Sequence, residues 1–284
     1  MHNNINSSIE LITAIDQAIS RKINRLFDHN CIETNKFEFV DDVVGMVDIA
    51  DFVDVIIAPP FTVLAKTVEV LHARNSEIKI AAQDLFWEDV GAYTGAVSGM
   101  MVKDAGATYA IVGHSERRFH FYETDVTVNQ KIKAAWRNQL FPIVCVGESL
   151  AEHDAGKVEE VIERQVVTAL GGLADEDLLS GVMITPLERI IIAYEPIWAI
   201  GVGETATPQY AEKVHAFIRK TLMQIFGLEA ANKTKILYGG SVKSDNSKEL
   251  LAQPNINGVL VGGASLKAEE FIGIIKNAVN CKKL

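Results

Sequence analysis

The chain has 284 residues, 48% of them hydrophobic, and a formal charge of −10. That length supports one large core or two ordinary ones, and the acidic balance argues against a nucleic-acid partner, because phosphate backbones favour a basic surface. No apolar run reaches the ~18–20 residues of a membrane span, and Cys31, Cys145 and Cys281 are too few and too scattered for a disulfide framework or a metal-ligand spacing.

The start, Met1-His2-Asn3-Asn4, lacks the basic residues and apolar stretch of a signal peptide, so a cytoplasmic protein is expected. Ser7 and Glu10 have the spacing of a capping box, and Ile12, Ile15, Ile19, Ile23 and Leu26 follow at helical intervals. Residues 26–34 offer only a weak strand, since Asp28-His29-Asn30 disfavours the extended form. Phe37, Val40, Val43, Val44 and Val47 suggest a second helix. We expect residues 1–27 to form a helical extension ahead of one domain spanning 28–284.

From Val53 onward, short β-rich runs alternate with longer amphipathic ones. Residues 53–58, 78–82, 109–112, 142–146, 189–194, 235–238 and 258–261 read as buried strands, rich in Val, Ile and Ala and without polar alternation. Residues 62–74, 125–138, 158–170, 209–226 and 268–279 read as helices between them. No Pro/Gly/Ser-rich linker interrupts the series. This pattern gives either an open doubly wound sheet or a closed barrel.

Two strand ends carry titratable side chains. Ala110-Ile111-Val112-Gly113-His114-Ser115 and Ile192-Ala193-Tyr194-Glu195-Pro196 both pass abruptly from apolar to polar residues, where α/β proteins place their chemistry. A histidine and a carboxylate so presented can move a proton at neutral pH. Seen alone, a histidine at a strand end is more often a satisfied polar residue than a catalyst, and Glu195 could be an ion-pair partner for an arginine. Two glycine pairs, Tyr238-Gly239-Gly240-Ser241 and Val261-Gly262-Gly263-Ala264, also follow strands and precede helices. Glycine lets backbone N–H groups approach a phosphate, and a helix N-terminus adds favourable charge. One such pair could be a tight turn; two consecutive pairs favour phosphate binding.

Taken with Ala58-Pro59-Pro60-Phe61, Ala82-Gln83-Asp84, Gly91-Ala92-Tyr93-Thr94-Gly95 and Cys145-Val146-Gly147-Glu148-Ser149, these runs resemble the triosephosphate isomerase family. The resemblance spans about four-fifths of the chain by the motif reading. It implies an α/β fold, an eight-stranded parallel (β/α)8 TIM barrel, and interconversion of dihydroxyacetone phosphate with glyceraldehyde 3-phosphate without cofactor or metal. Glu195 would be the base and His114 the neutral electrophile, its pKa lowered by a helix N-terminus, this family being the standard illustration of that effect. Glu195, in an apolar site, would have a raised pKa.

The resemblance further implies that Gly201, Ser241, Gly262 and Gly263 bind the phosphate, and that residues 196–207 form a lid over the site. Glu116 would be a carboxylate acting on His114, with an ordinary surface ion pair as its rival. The loop around Thr94 would join two copies in a homodimer. The only other partner expected is a small phosphorylated triose, with no membrane and no nucleic acid.

The first strand departs from the family pattern, which ends in Asn-x-Lys. Asn30 matches the asparagine of the substrate site, but Ile32 stands at the lysine. Losing one such charge typically costs ~3–4 kcal/mol of transition-state stabilisation. The alternative reading is therefore a catalytically inactive barrel that still binds phosphate and dimerises. Residues 179–187 form an additional segment ahead of the sixth strand.

Overall fold

A computed structural model of the chain describes residues 5–24, 53–173, 190–200 and 205–282. Its strands are β1 (Ile56–Ile57), β2 (Lys79–Ala82), β3 (Tyr109–Val112), β4 (Phe141–Val146), β5 (Ile191–Tyr194), β6 (Lys235–Tyr238) and β7 (Gly258–Val259). They form one parallel sheet in which each strand pairs with the next in the chain. Doubly wound sheets reverse their strand order at a switch point. Here the order never reverses, so every crossover leads onward in one direction and the sheet curls as the wall of a (β/α)8 barrel.

Alternation along the strands explains why they read as continuous apolar runs. Ile111, Ile143, Cys145 and Ala193 point into the barrel and form an inner core with Ala81. Val112, Val144, Val146, Ile192 and Tyr194 point the other way, into the core shared with the helices. Beyond their first residue, β2, β3, β4 and β5 are buried on both faces, so no position there is left for a polar alternation.

The helices are α1 (Ile5–Asn24), α2 (Phe61–Ala73), α3 (Gly99–Asp104), α4 (Ser115–His120), α5 (Asp125–Arg137), α6 (Leu150–Asp154), α7 (Val158–Leu170), α8 (Pro208–Phe226), α9 (Leu228–Lys233), α10 (Ser247–Leu251) and α11 (Ala268–Lys282). Helix α1 packs against α2 and α11, burying Ile12 and Ile15. The buried Asp16 accepts a 2.5 Å hydrogen bond from Arg74 just after α2.

Ser7 does not cap this helix as its spacing suggested, because α1 already runs at Ile5 and Ser7 lies within its first turn. Ile5, Ile9 and Ile12 carry the apolar stripe back past the serine. Reciprocal capping boxes occur instead at Thr124–Thr127 before α5 and Ser149–Glu152 before α6. The strand expected over residues 26–34, the helix over 37–47 and the segment 179–187 lie outside the described residues. So do Asn30, Ile32 and Gly201.

Candidate active site

His114 and Glu195 meet at the C-terminal ends of β3 and β5. His114 Nε2 lies 2.9 Å from Glu195 Oε1, and the Ser115 N–H donates to Glu195 Oε2 at 2.9 Å. The carboxylate is 2% exposed. Its partner is thus the histidine and not an arginine.

Local structure sets the tautomer of His114. The residue is the N-cap of α4, and its Nδ1 accepts a hydrogen bond from the Glu116 N–H at 3.3 Å. In the neutral ring the proton therefore sits on Nε2, facing Glu195. The Glu116 carboxylate is exposed, with Oε2 4.0 Å from Nδ1.

The electrostatics correct one expectation. Burial pulls the His114 pKa down, but the hydrogen bond and charge of Glu195, with a smaller contribution from Glu116, carry it above the usual histidine value. The helix N-terminus fixes the tautomer; the adjacent carboxylate decides the direction of the shift. Cys145, inside the barrel, is pushed well up by burial and then by Glu195. Its thiol stays neutral and supplies no nucleophile.

Buried charges brace the loop that presents His114. Arg117 reaches Asp84 Oδ2 at 2.9 Å and Glu123 Oε1 at 2.5 Å. Lys131, 2% exposed, reaches Asp84 at 2.5 Å and also pairs with Glu123. Two cations and two carboxylates alternate, so each charge has opposite neighbours. Arg118 donates to the carbonyls of Gly113 and Cys145 at 2.8 and 3.2 Å, joining the ends of β3 and β4.

A second buried carboxylate, Glu148, organises the far side of the base. Its Oε1 accepts from Trp198 Nε1 at 2.7 Å, Tyr194 OH at 2.9 Å and Tyr210 OH at 3.4 Å. Burial raises its pKa, while the hydrogen bonds from Trp198 and Tyr194 and the charge of His153 work in the opposite direction. Nothing in the chain pattern beyond a charged residue after a buried strand signalled this role. The contribution of the Ser115 N–H was equally hidden, since no local pattern links it to a residue 80 positions away.

The glycine loops open at the same barrel end. The Gly239 N–H donates to the Tyr194 carbonyl at 2.7 Å, and a Cβ on Gly239 would meet Glu195 Cγ at 3.0 Å. Ser241 is half-buried beyond it, its carbonyl held by Asn246 Nδ2 at 3.1 Å. Gly262 and Gly263 are exposed, with open space where a Cβ would stand. On the other side, Pro196 leads into a short 3-10 turn, Ile197–Ala199, whose Trp198 is half-buried. The structure thus brings together His114, Glu195, Glu116 and the Gly239 loop.

The family model described as triosephosphate isomerase matches residues 27–278. The triosephosphate isomerase of Moorella thermoacetica is 54% identical over 222 residues, covering 78% of this chain and 84% of that protein. That of Trichlorobacter lovleyi is 49% identical over 237 residues, covering 84% and 90%. The crystal structure of triosephosphate isomerase from Bartonella henselae superposes with a TM-score of 0.75 at 35% identity, covering 98% of this chain and 95% of that one.

Proposed function

The chain belongs to the triosephosphate isomerase family, and on that premise we propose that Glu195 and His114 carry out the proton transfers of its isomerase reaction. The protein is an isomerase on a TIM barrel, interconverting dihydroxyacetone phosphate and D-glyceraldehyde 3-phosphate. The observation that carries the residue assignment is the His114–Glu195 contact at 2.9 Å, placed at strand ends beside the glycine loops.

Glu195 takes the proton from the carbon next to the substrate carbonyl, leaving an enediolate. It returns that proton to the neighbouring carbon. His114 acts through Nε2, because the Glu116 N–H occupies Nδ1: Nε2–H gives its proton to the oxygen on which negative charge develops, and Nε2 takes back the hydroxyl proton of the adjacent carbon, so one proton passes between the oxygens as the other passes between the carbons. Substrate must enter between the two side chains, which separates Glu195 from His114 and removes the influence that raises the histidine pKa. The imidazole then acts in its neutral form, as this family illustrates. Ser241, Gly262 and Gly263, with Gly201, are the proposed phosphate donors. Triose-phosphate turnover that survives in Glu195→Gln would exclude this carboxylate as the base; loss of turnover with retained binding of a phosphorylated enediolate analogue is expected.

We further propose a homodimer in the cytoplasm. Among the described residues, no helix is long and apolar enough to cross a membrane. The loop from Phe86 to Val97 is closed at its base by the Phe86 N–H to Val97 carbonyl bond at 2.8 Å and projects Val90, Tyr93 and Thr94 outward. Met101, Phe119, Phe121 and Tyr122 are also exposed. Large apolar side chains left exposed on this loop and on the segments that follow it support burial against a second copy.

A further inference from the structure

We propose that His153 and Tyr210 are positioning residues that clamp the Trp198 indole and so set the reach of Glu195; this rests on Glu195 being the base. Trp198 lies three residues after Glu195, and its backbone neighbour is pinned by the Ile197 N–H to Glu148 carbonyl bond at 3.2 Å. The indole Nε1 is tied to Glu148 Oε1. A single hydrogen bond leaves the ring free to swing about it.

Two rings remove that freedom. His153, in α6, packs against Trp198 with centroids 4.5 Å apart and planes 34° from parallel. Tyr210, in the first turn of α8, meets the indole edge-on at 5.5 Å and 84°. The two also touch each other at 5.8 Å. Each has its own anchor. His153 Nδ1 lies 3.2 Å from Asp154 Oδ1, Tyr210 OH reaches Glu148 Oε1, and the Tyr210 N–H caps onto Thr207 Oγ1 at 3.2 Å. The arms come from the helices after β4 and after β5, so the clamp spans the elements on both sides of the base. Aromatic pairs of this geometry contribute beyond their buried area, and small displacements of a reacting group carry large rate penalties.

The test uses the full chain in a Trp87→Phe/Trp136→Phe parent, where Trp198 is the remaining fluorophore. His153→Ala and Tyr210→Ala are expected to lower kcat about tenfold while KM changes less than about threefold. Both should shift Trp198 emission to the red. His153→Phe and Tyr210→Phe, which keep a ring, should restore kcat and emission. His153→Leu and Tyr210→Leu replace the alanine variants if those fail to fold, with the same expected losses. Unchanged kcat or unchanged emission in the ring-deleted variants overturns the clamp, as does an equal loss in the phenylalanine variants. If Glu195→Gln loses turnover while ring deletion does not, the clamp alone is overturned. If Glu195→Gln keeps its turnover, the assignment of the base falls, and the positioning claim falls with it.

Discussion

A Cβ on Gly147 would stand 1.8 Å from the carbonyl oxygen of Glu195. The glycine ends β4 where the Glu195 N–H bonds to the Val146 carbonyl at 2.8 Å, and Gln165 grips the Gly147 N–H and carbonyl at 2.7 and 2.9 Å. Neither backbone can retreat without breaking these bonds. Gly147→Ala must therefore push the base out of line. We expect about a hundredfold loss of kcat/KM and a stability loss of about 1–3 kcal/mol from overpacking. Wild-type turnover in this variant would show that the backbone yields more easily than these contacts imply.

The pH profile of kcat/KM should carry an acid limb from His114. Its pKa in the free protein lies above the usual histidine value, so lowering the pH protonates the ring and converts the pair to an imidazolium–carboxylate contact. Activity then falls because the carboxylate is held and the neutral imidazole is lost. Glu116→Gln removes one of the charges raising the pKa. The limb should move to lower pH; movement to higher pH would contradict the arrangement of charges.

Acid stability should depend on His215. The ring is fully buried beside Tyr194 and Tyr238, with Nδ1 2.7 Å from the Ala211 carbonyl. Burial lowers its pKa from 6.5 to about 4. Between those values the unfolded chain binds a proton that the folded chain does not, so stability falls as the pH falls. From pH 7 to pH 5 this single group accounts for about 2 kcal/mol. Urea denaturation at the two pH values should show a smaller loss for His215→Phe than for the wild type. Equal losses would place the acid sensitivity elsewhere.

The projecting loop provides a test of assembly. Thr94→Arg adds a charge beside Val90 and Tyr93 on the exposed loop. Sedimentation at micromolar concentration is expected to show a dimer for the wild type and a monomer for the variant. A monomeric wild type would remove the proposed interface altogether.

The seven strands, the long helices after Val53 and the two titratable strand ends were legible in the sequence by itself. Their signal is local: a parallel strand buried on both faces must be apolar throughout, and its polar continuation marks where the chain leaves the barrel wall. Short helices such as α4 and α6 carry too little periodicity to be read this way. The alternation alone fitted an open sheet as well as a barrel; the motif resemblance pointed to the barrel, and the unreversed strand order bears it out, since strand order is what separates the two.

The chemistry of the site was decided by the tertiary structure. Ser115 and Glu195 are 80 positions apart yet hydrogen-bonded, and neither local pattern contains that distance. The direction of the His114 pKa, the gathering of three donors on Glu148 and the steric demand for glycine at 147 all arise from groups brought together by the curling of the sheet. Sequence periodicity encodes which residues are buried; contact, charge and steric exclusion between distant residues exist only after the strands are arranged.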